Sequence, residues 1–176
     1  MHPTLRLAAA RGAVPPTGPG FDVVLLLHVG CVLVGLVTVV VSGISAARLA
    51  AALPGGPPDE ALLRYYAPGV NWAGRALHAV PVLGFALVAQ SHGAFGLGQA
   101  WVQWGLAVWV LIAGAAEGLL WPAERRIQTL LAAPGGPGAP GTDLVAVRRL
   151  CRRTAGVSVA LVGAIVLGVI LMVAQP

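Results

Sequence analysis

The sequence predicts an all-α, four-helix transmembrane bundle, and three observations carry that prediction. Hydrophobic residues make up 57% of the chain and charged residues 10%, with a mean hydropathy of +0.84. A soluble domain is about a quarter charged. Four apolar runs are each long enough to cross roughly 30 Å of hydrocarbon at about 1.5 Å per residue. Arginines collect in two of the three connections and are missing from the other, which is the asymmetry of a multi-pass membrane protein.

The first 21 residues hold Arg6, Arg11, Pro15, Pro16 and Pro19, without an apolar core of signal-peptide length before Phe21. They are expected to be an uncleaved, disordered tail, followed by a single four-span domain over 22–176. The first span is predicted at about 23–47. After it, Pro54-Gly55-Gly56-Pro57-Pro58 cannot continue a helix, and Asp59-Glu60 begin a short one that runs to Tyr66. Acidic residues suit a helix start. Tyr65 and Tyr66, followed by Pro68-Gly69, are expected at the headgroup level.

The second span is predicted at about 72–90 and the third at about 101–121. Trp72, Trp101 and Trp121 stand at span ends and are expected to be interface anchors. Trp109 lies mid-span, and the pattern leaves open whether it faces lipid or bundle. Gly114 and Gly118 form a GxxxG pair. Residues 122–133 should prolong the third helix, 134–141 form a flexible breaker, and Thr142-Asp143 cap a helix running into the fourth span at about 154–174. Gly156, Ala160, Ala164 and Gly168 recur every fourth residue along it. Small residues in a row admit a close backbone, either inside the bundle or from a second copy of the chain.

Orientation follows from the arginines. Arg48 and Arg64 lie in the first connection and Arg125, Arg126, Arg148, Arg149, Arg152 and Arg153 in or beside the last, whereas the link over 91–100 has none. Both termini are therefore expected outside, against the weaker pull of Arg6 and Arg11. The expected location is the cell's inner (cytoplasmic) membrane. All eleven basic residues are arginine and the net charge is +5. A nucleic-acid partner would need a basic face on a soluble domain, so the charge points to topology and to anionic lipid, with Arg148, Arg149, Arg152 and Arg153 at the phosphate level.

The stretch from Asn71 to Pro81 carries Arg75 and His78 into the second span, three residues apart and so on one helical face. Pro81 leaves the carbonyl of Leu77 without its helical donor. Glu117, near the inner end of the third span, matches Arg75 in depth, and an Arg75 to Glu117 ion pair is predicted, with His78 one turn deeper bonding to the pair or to the freed carbonyl. Intramembrane charges face a bundle interior or a cavity. The cluster is either a salt bridge that fixes the register of two helices or a cytoplasm-facing proton or anion site.

His28 and Cys31 share a face near the outer end of the first span, and His92 lies in the outer link. Imidazole and thiolate bind soft metals, although two ligands alone make a weak site. A two-histidine haem needs imidazoles at one height across the ring. His28 and His78 are expected to differ by roughly 10 Å or more on straight helices, with His92 closer to His28 in height. No CxxC, CxxCH, HExxH, P-loop or nucleophile-elbow pattern occurs, which excludes catalysis of the soluble type.

Through Leu27-His28-Val29-Gly30, Trp72 to His78, and Trp121-Pro122-Ala123-Glu124-Arg125-Arg126, the chain resembles a bacterial family of predicted four-helix integral membrane proteins of unknown function. That family is similar in helix plan to the CopD-like copper-resistance domains and to the HemJ type of protoporphyrinogen oxidase. The likeness covers roughly 22–133 and implies the architecture, with haem b at His28 as its most specific implication. The HemJ type also relies on a lysine, and this chain has none. Two Met and four His are few for copper. The resulting expectation is a non-catalytic accessory subunit or helper of a larger membrane system, partnered by lipid and by another membrane protein or its own copy. A b-type haem protein using His28 is one alternative. A small proton-linked carrier using Arg75, His78 and Glu117 is another.

Overall fold

A computed structural model describes residues 18–54, 56, 58–133 and 143–174. The breaker over 134–141, Thr142 and residues 1–17 of the expected tail lie outside the described residues. In chain order the elements are α1 (Pro19–Ala52), α2 (Glu60–Tyr65), a 3-10 segment (Ala73–His78), α3 (Ala79–Gln90), α4 (Ala100–Ala115), a π-turn (Ala116–Leu120), α5 (Trp121–Leu131) and α6 (Leu144–Ala174). Four helical stretches, Pro19–Ala52, Ala73–Gln90, Ala100–Leu131 and Leu144–Ala174, are long and apolar enough to cross a membrane. The fold is an all-α four-helix bundle, without strands among the described residues.

Helix α1 starts at Pro19, so residues 19–21 belong to a helix rather than to a tail. Proline's fixed φ suits the first helical turn and Asp22 complements the dipole there. At the start of α6, Asp143 Oδ1 accepts from the Ala146 amide at 2.9 Å, as the predicted cap requires.

The bundle is organised on the antiparallel contact of α1 and α6. The buried positions are Gly35, Val39, Ser42, Ser45, Ala46, Leu49 and Ala50 on α1, and Val147, Cys151, Thr154, Ser158, Leu161 and Ile165 on α6. On α6, and on α1 through Gly35, Val39, Ser42, Ala46 and Leu49, they alternate steps of four and three, the heptad spacing that keeps one seam facing a partner. At the tightest point a Cβ on Gly43 would lie 2.8 Å from that of Ser158. The row Gly156, Ala160, Ala164, Gly168 is not this seam, because Gly156 and Ala160 are exposed. A strict four-residue repeat drifts about 40° per step at 3.6 residues per turn, so the row winds off the contact face.

The second span packs antiparallel on α1, with Leu77 over Gly35, Gly74 against Thr38, and Gly84 against His28. Helix α4 packs on α6, with Met172 over Gly105 and Val108 against Gly168. The order around the bundle is thus α3, α1, α6, α4, and the α3/α4 side is the open one. At the arginine-bearing end, α2 folds beneath the bundle. Tyr66 is buried with Ala46, Leu49, Ile127, Val147 and Cys151, and its ring meets that of Tyr65 edge-on. The paired tyrosines are therefore core residues and not headgroup anchors, because the short helix after the Pro-Gly breaker turns its apolar side back under α1.

Candidate functional site

The chain enters the second span through Asn71, whose Oδ1 accepts from the Gly74 amide at 3.1 Å and starts the 3-10 turn. In a 3-10 helix residues three apart eclipse, which stacks His78 above Arg75. Opposite this turn, the third span widens into the π-turn Ala116–Leu120, which contains Glu117. A π-turn inserts an extra residue and re-aims the side chains that follow. Glu117 Oε1 meets Arg75 Nη1 at 2.6 Å and His78 Nε2 at 3.3 Å. The predicted ion pair is formed, and the histidine stands beside its carboxylate.

Beneath the pair lies Trp121, which is 5% exposed. The Arg75 guanidinium carbon sits 4.0 Å from the centre of its ring, and the His78 ring stacks on it at 5.5 Å and 29°. The expectation that Trp121 anchors the interface is corrected here: the π-turn rotates it inward, and the indole face takes the guanidinium that Glu117 attracts. Trp72, 77% exposed, keeps the surface position of an anchor. The carbonyl freed by Pro81 goes to neither Arg75 nor His78. Leu77 O accepts from Trp109 Nε1 at 2.8 Å, which places Trp109 toward the bundle. Gly114 and Gly118 point outward, with nothing within 4 Å of an added Cβ.

A second polar cluster lies about two turns beyond Glu117. Glu124, 6% exposed, accepts at Oε1 from Ser42 Oγ at 2.5 Å and from Tyr65 Oη at 3.0 Å, joining α1, α2 and α5. Burial, and then the charge of Glu124, push the Tyr65 phenol above its ordinary range, against a smaller opposing effect of Ser42. This carboxylate is the functional-site residue that sequence reasoning missed, since an extension beyond the membrane was expected to be solvated. The signal was present in Trp121, Glu124 and Ile127, which follow one another at intervals of three on one helical face. A small cleft of about 40 Å³ opens beside both clusters, lined by Asn71, Arg75, Trp121, Glu124, Arg125 and Gln128 together with the Gly69-Val70 backbone turn.

The remaining candidates are not brought to this site. His28 is half-buried against Gly84, with its Nδ1 unpartnered among the described residues. Cys31 is half-buried and unbonded to Cys151. His92 is exposed on the turn after α3 with φ 49°. Gly20 lies against Gln90, so His92 is level with or beyond Gly20, eight residues or about 12 Å from His28. His78 follows Leu77, which covers Gly35, and so stands about 9 Å from His28 on the other side. The described residues therefore do not fit a two-histidine haem, and no group of three His, Cys, Asp or Glu able to hold a metal occurs among them. Arg149, Arg152 and Arg153 are exposed on α6, while Arg148 turns inward and donates from Nε to the Ala50 carbonyl at 3.1 Å. Neither a family model, nor a curated protein, nor a solved structure matches the chain.

Proposed function

We propose that the protein is a non-catalytic multi-pass membrane protein serving as an accessory subunit of a larger membrane assembly, covered by its partner on the side of Glu117, Gly114 and Gly118. One observation carries this reading. The Arg75–Glu117 pair lies within membrane-length helices yet is left 33% and 45% exposed. A charge facing hydrocarbon costs about 3 kcal/mol at the centre of a span and less toward its end, where this pair lies, and a polar or water-bearing protein surface lowers the cost that remains. The two outward glycines beside Glu117 give a second backbone room to approach.

The test places a photo-reactive amino acid at Val110, which shares the row of Gly114 and Gly118 and is 55% exposed, or at Val159 on α6, which is 73% exposed. In native membranes, Val110 should give one discrete protein adduct and Val159 only lipid adducts. Lipid adducts alone from both positions would overturn the reading.

A second reading, a proton-linked carrier, draws on Glu117 being shared between a permanent cation and an imidazole inside a π-turn, since intramembrane carboxylate and imidazole groups form relays. It predicts that reconstituted vesicles dissipate an imposed pH gradient, and that Glu117→Gln and His78→Gln each abolish the leak. Vesicles as tight as protein-free ones would rule it out.

A further inference from the structure

The cleft beside Glu124 has two chemically different parts. Inside, Arg75 is already neutralised by Glu117 at 2.6 Å, which leaves Glu124 as the uncompensated charge. Its Oε1 is taken by Ser42 and Tyr65, while Oε2 takes no hydrogen bond among the described residues, and Glu124 is the only carboxylate among the residues that line the cleft. At the rim stands exposed Arg125, which forms no salt bridge among the described residues, with the Gln128 amide beside it. A negative interior and a positive rim ask for a ligand of the reverse polarity. The cleft, of about 40 Å³ and open on one side, has room for a small group such as an ammonium, and exposed Arg125 in its lining offers a phosphate a cation at the surface. Next to the cleft, Val70 and Trp72 are 58% and 77% exposed, side chains of the kind found at the glycerol level of a bilayer.

We infer that this cleft binds the headgroup of an aminophospholipid: a primary ammonium donates to Glu124, the phosphate pairs with Arg125 and Gln128, and the lipid body lies along Val70 and Trp72. The site is separate from the arginines of α6. Charge-assisted bonds at both ends explain why neither an anionic headgroup without an ammonium nor a quaternary ammonium without N–H donors satisfies it.

The test is native mass spectrometry of the full chain in mild detergent, with phosphatidylethanolamine, phosphatidylcholine and phosphatidylglycerol supplied at equal mole fraction. Phosphatidylethanolamine should be retained about tenfold more than either competitor, the effect of losing one good charge-assisted bond. Arg125→Gln should remove most retention. Arg126→Gln, the same change one residue away and outside the cleft, should remove none. Glu124→Gln should abolish the preference for phosphatidylethanolamine over phosphatidylcholine. Equal losses in the two arginine variants, or equal retention of the three lipids, would reduce the effect to a general basic belt and overturn the inference. Soluble O-phosphoethanolamine should leave the melting temperature unmoved, and a shift as large as that with the lipid would assign the cleft to a soluble ester instead.

Discussion

The α1/α6 seam and the α3/α4 side hold the same bundle together by different means. The seam is built from small and apolar residues, with Gly43 on Ser158 at its tightest point, and a charge meets it only at the arginine-bearing end, where Arg148 bonds to the Ala50 carbonyl. The opposite side is joined by two directional bonds, Arg75 to Glu117 and Trp109 to the Leu77 carbonyl, with His78 Nε2 3.3 Å from the same carboxylate. In lipid, apolar helices gain little by hiding from their surroundings, so association must come from close packing or from polar bonds. One side of this protein uses the first and the other side the second. The packed seam tolerates no added volume, whereas the bonded side depends on charge and can be covered or opened.

The sharpest way to break this comparison is to add volume to the seam. Gly43→Leu should cost about 3 kcal/mol or more, since both helices would have to part. Unfolding in mixed micelles with rising dodecyl sulfate would measure it, and a cost below about 1 kcal/mol would show that the seam is looser than its geometry. On the other side, Arg75→Ala should cost about 1–2 kcal/mol, less than for a fully buried pair because water or lipid headgroups reach part of it. Replacing Arg75 and Glu117 together with leucine should recover most of that loss, as removing both charges leaves none uncompensated. A double variant as unstable as the single one would mean that the bonds, and not the stranded charge, carry the stability.

The Arg75 to Glu117 pair was legible because two rare charges in apolar runs, at matching depth, have few other ways to be satisfied. The four spans were legible for the simpler reason of length and apolarity. The seam was not, because Ser42, Thr154 and Ser158 do not read as core and the glycine-alanine row drew attention to the wrong face. Glu124 was hidden because it lies in the extension of the third helix past its span, and Trp121 for a different reason. The π-turn shifts the phase of every residue after Ala116, and a register slip of one residue is invisible to a periodicity drawn for an unbroken α-helix.

A smaller effect tests the network of Glu124. The folded state holds the Tyr65 phenol neutral beyond its ordinary value of 10.0. The stability this contributes is complete below that value and declines as pH rises above it, because the unfolded chain then releases a proton that the folded one keeps. Tyr66 shifts the same way, by burial first and then through Cys151, Tyr65 and Glu124, so alkaline loss should be shared between the only two tyrosines of the chain. Tyr65→Phe should cost about 1 kcal/mol near neutral pH for the lost bond to Glu124, and should flatten part of the alkaline decline. A decline as steep as in the parent protein would show that Tyr65 does not carry it.

The smallest expected effect is the most informative for function. Gly114 is a glycine in a transmembrane helix just as Gly43 is, yet a Cβ at Gly114 meets nothing within 4 Å. Gly114→Leu should therefore leave the stability of the isolated protein within about 0.5 kcal/mol, and removing a helical glycine even favours the fold slightly. If the outward face is where a partner sits, the same change should remove the Val110 photo-adduct, because the leucine fills the space a second backbone needs. Stability lost as it is in Gly43→Leu would place Gly114 inside a packed contact and make the two sides of the bundle alike. A stable protein with its adduct intact would separate the glycine pair from the assembly surface, and leave Glu117 as the residue that marks it.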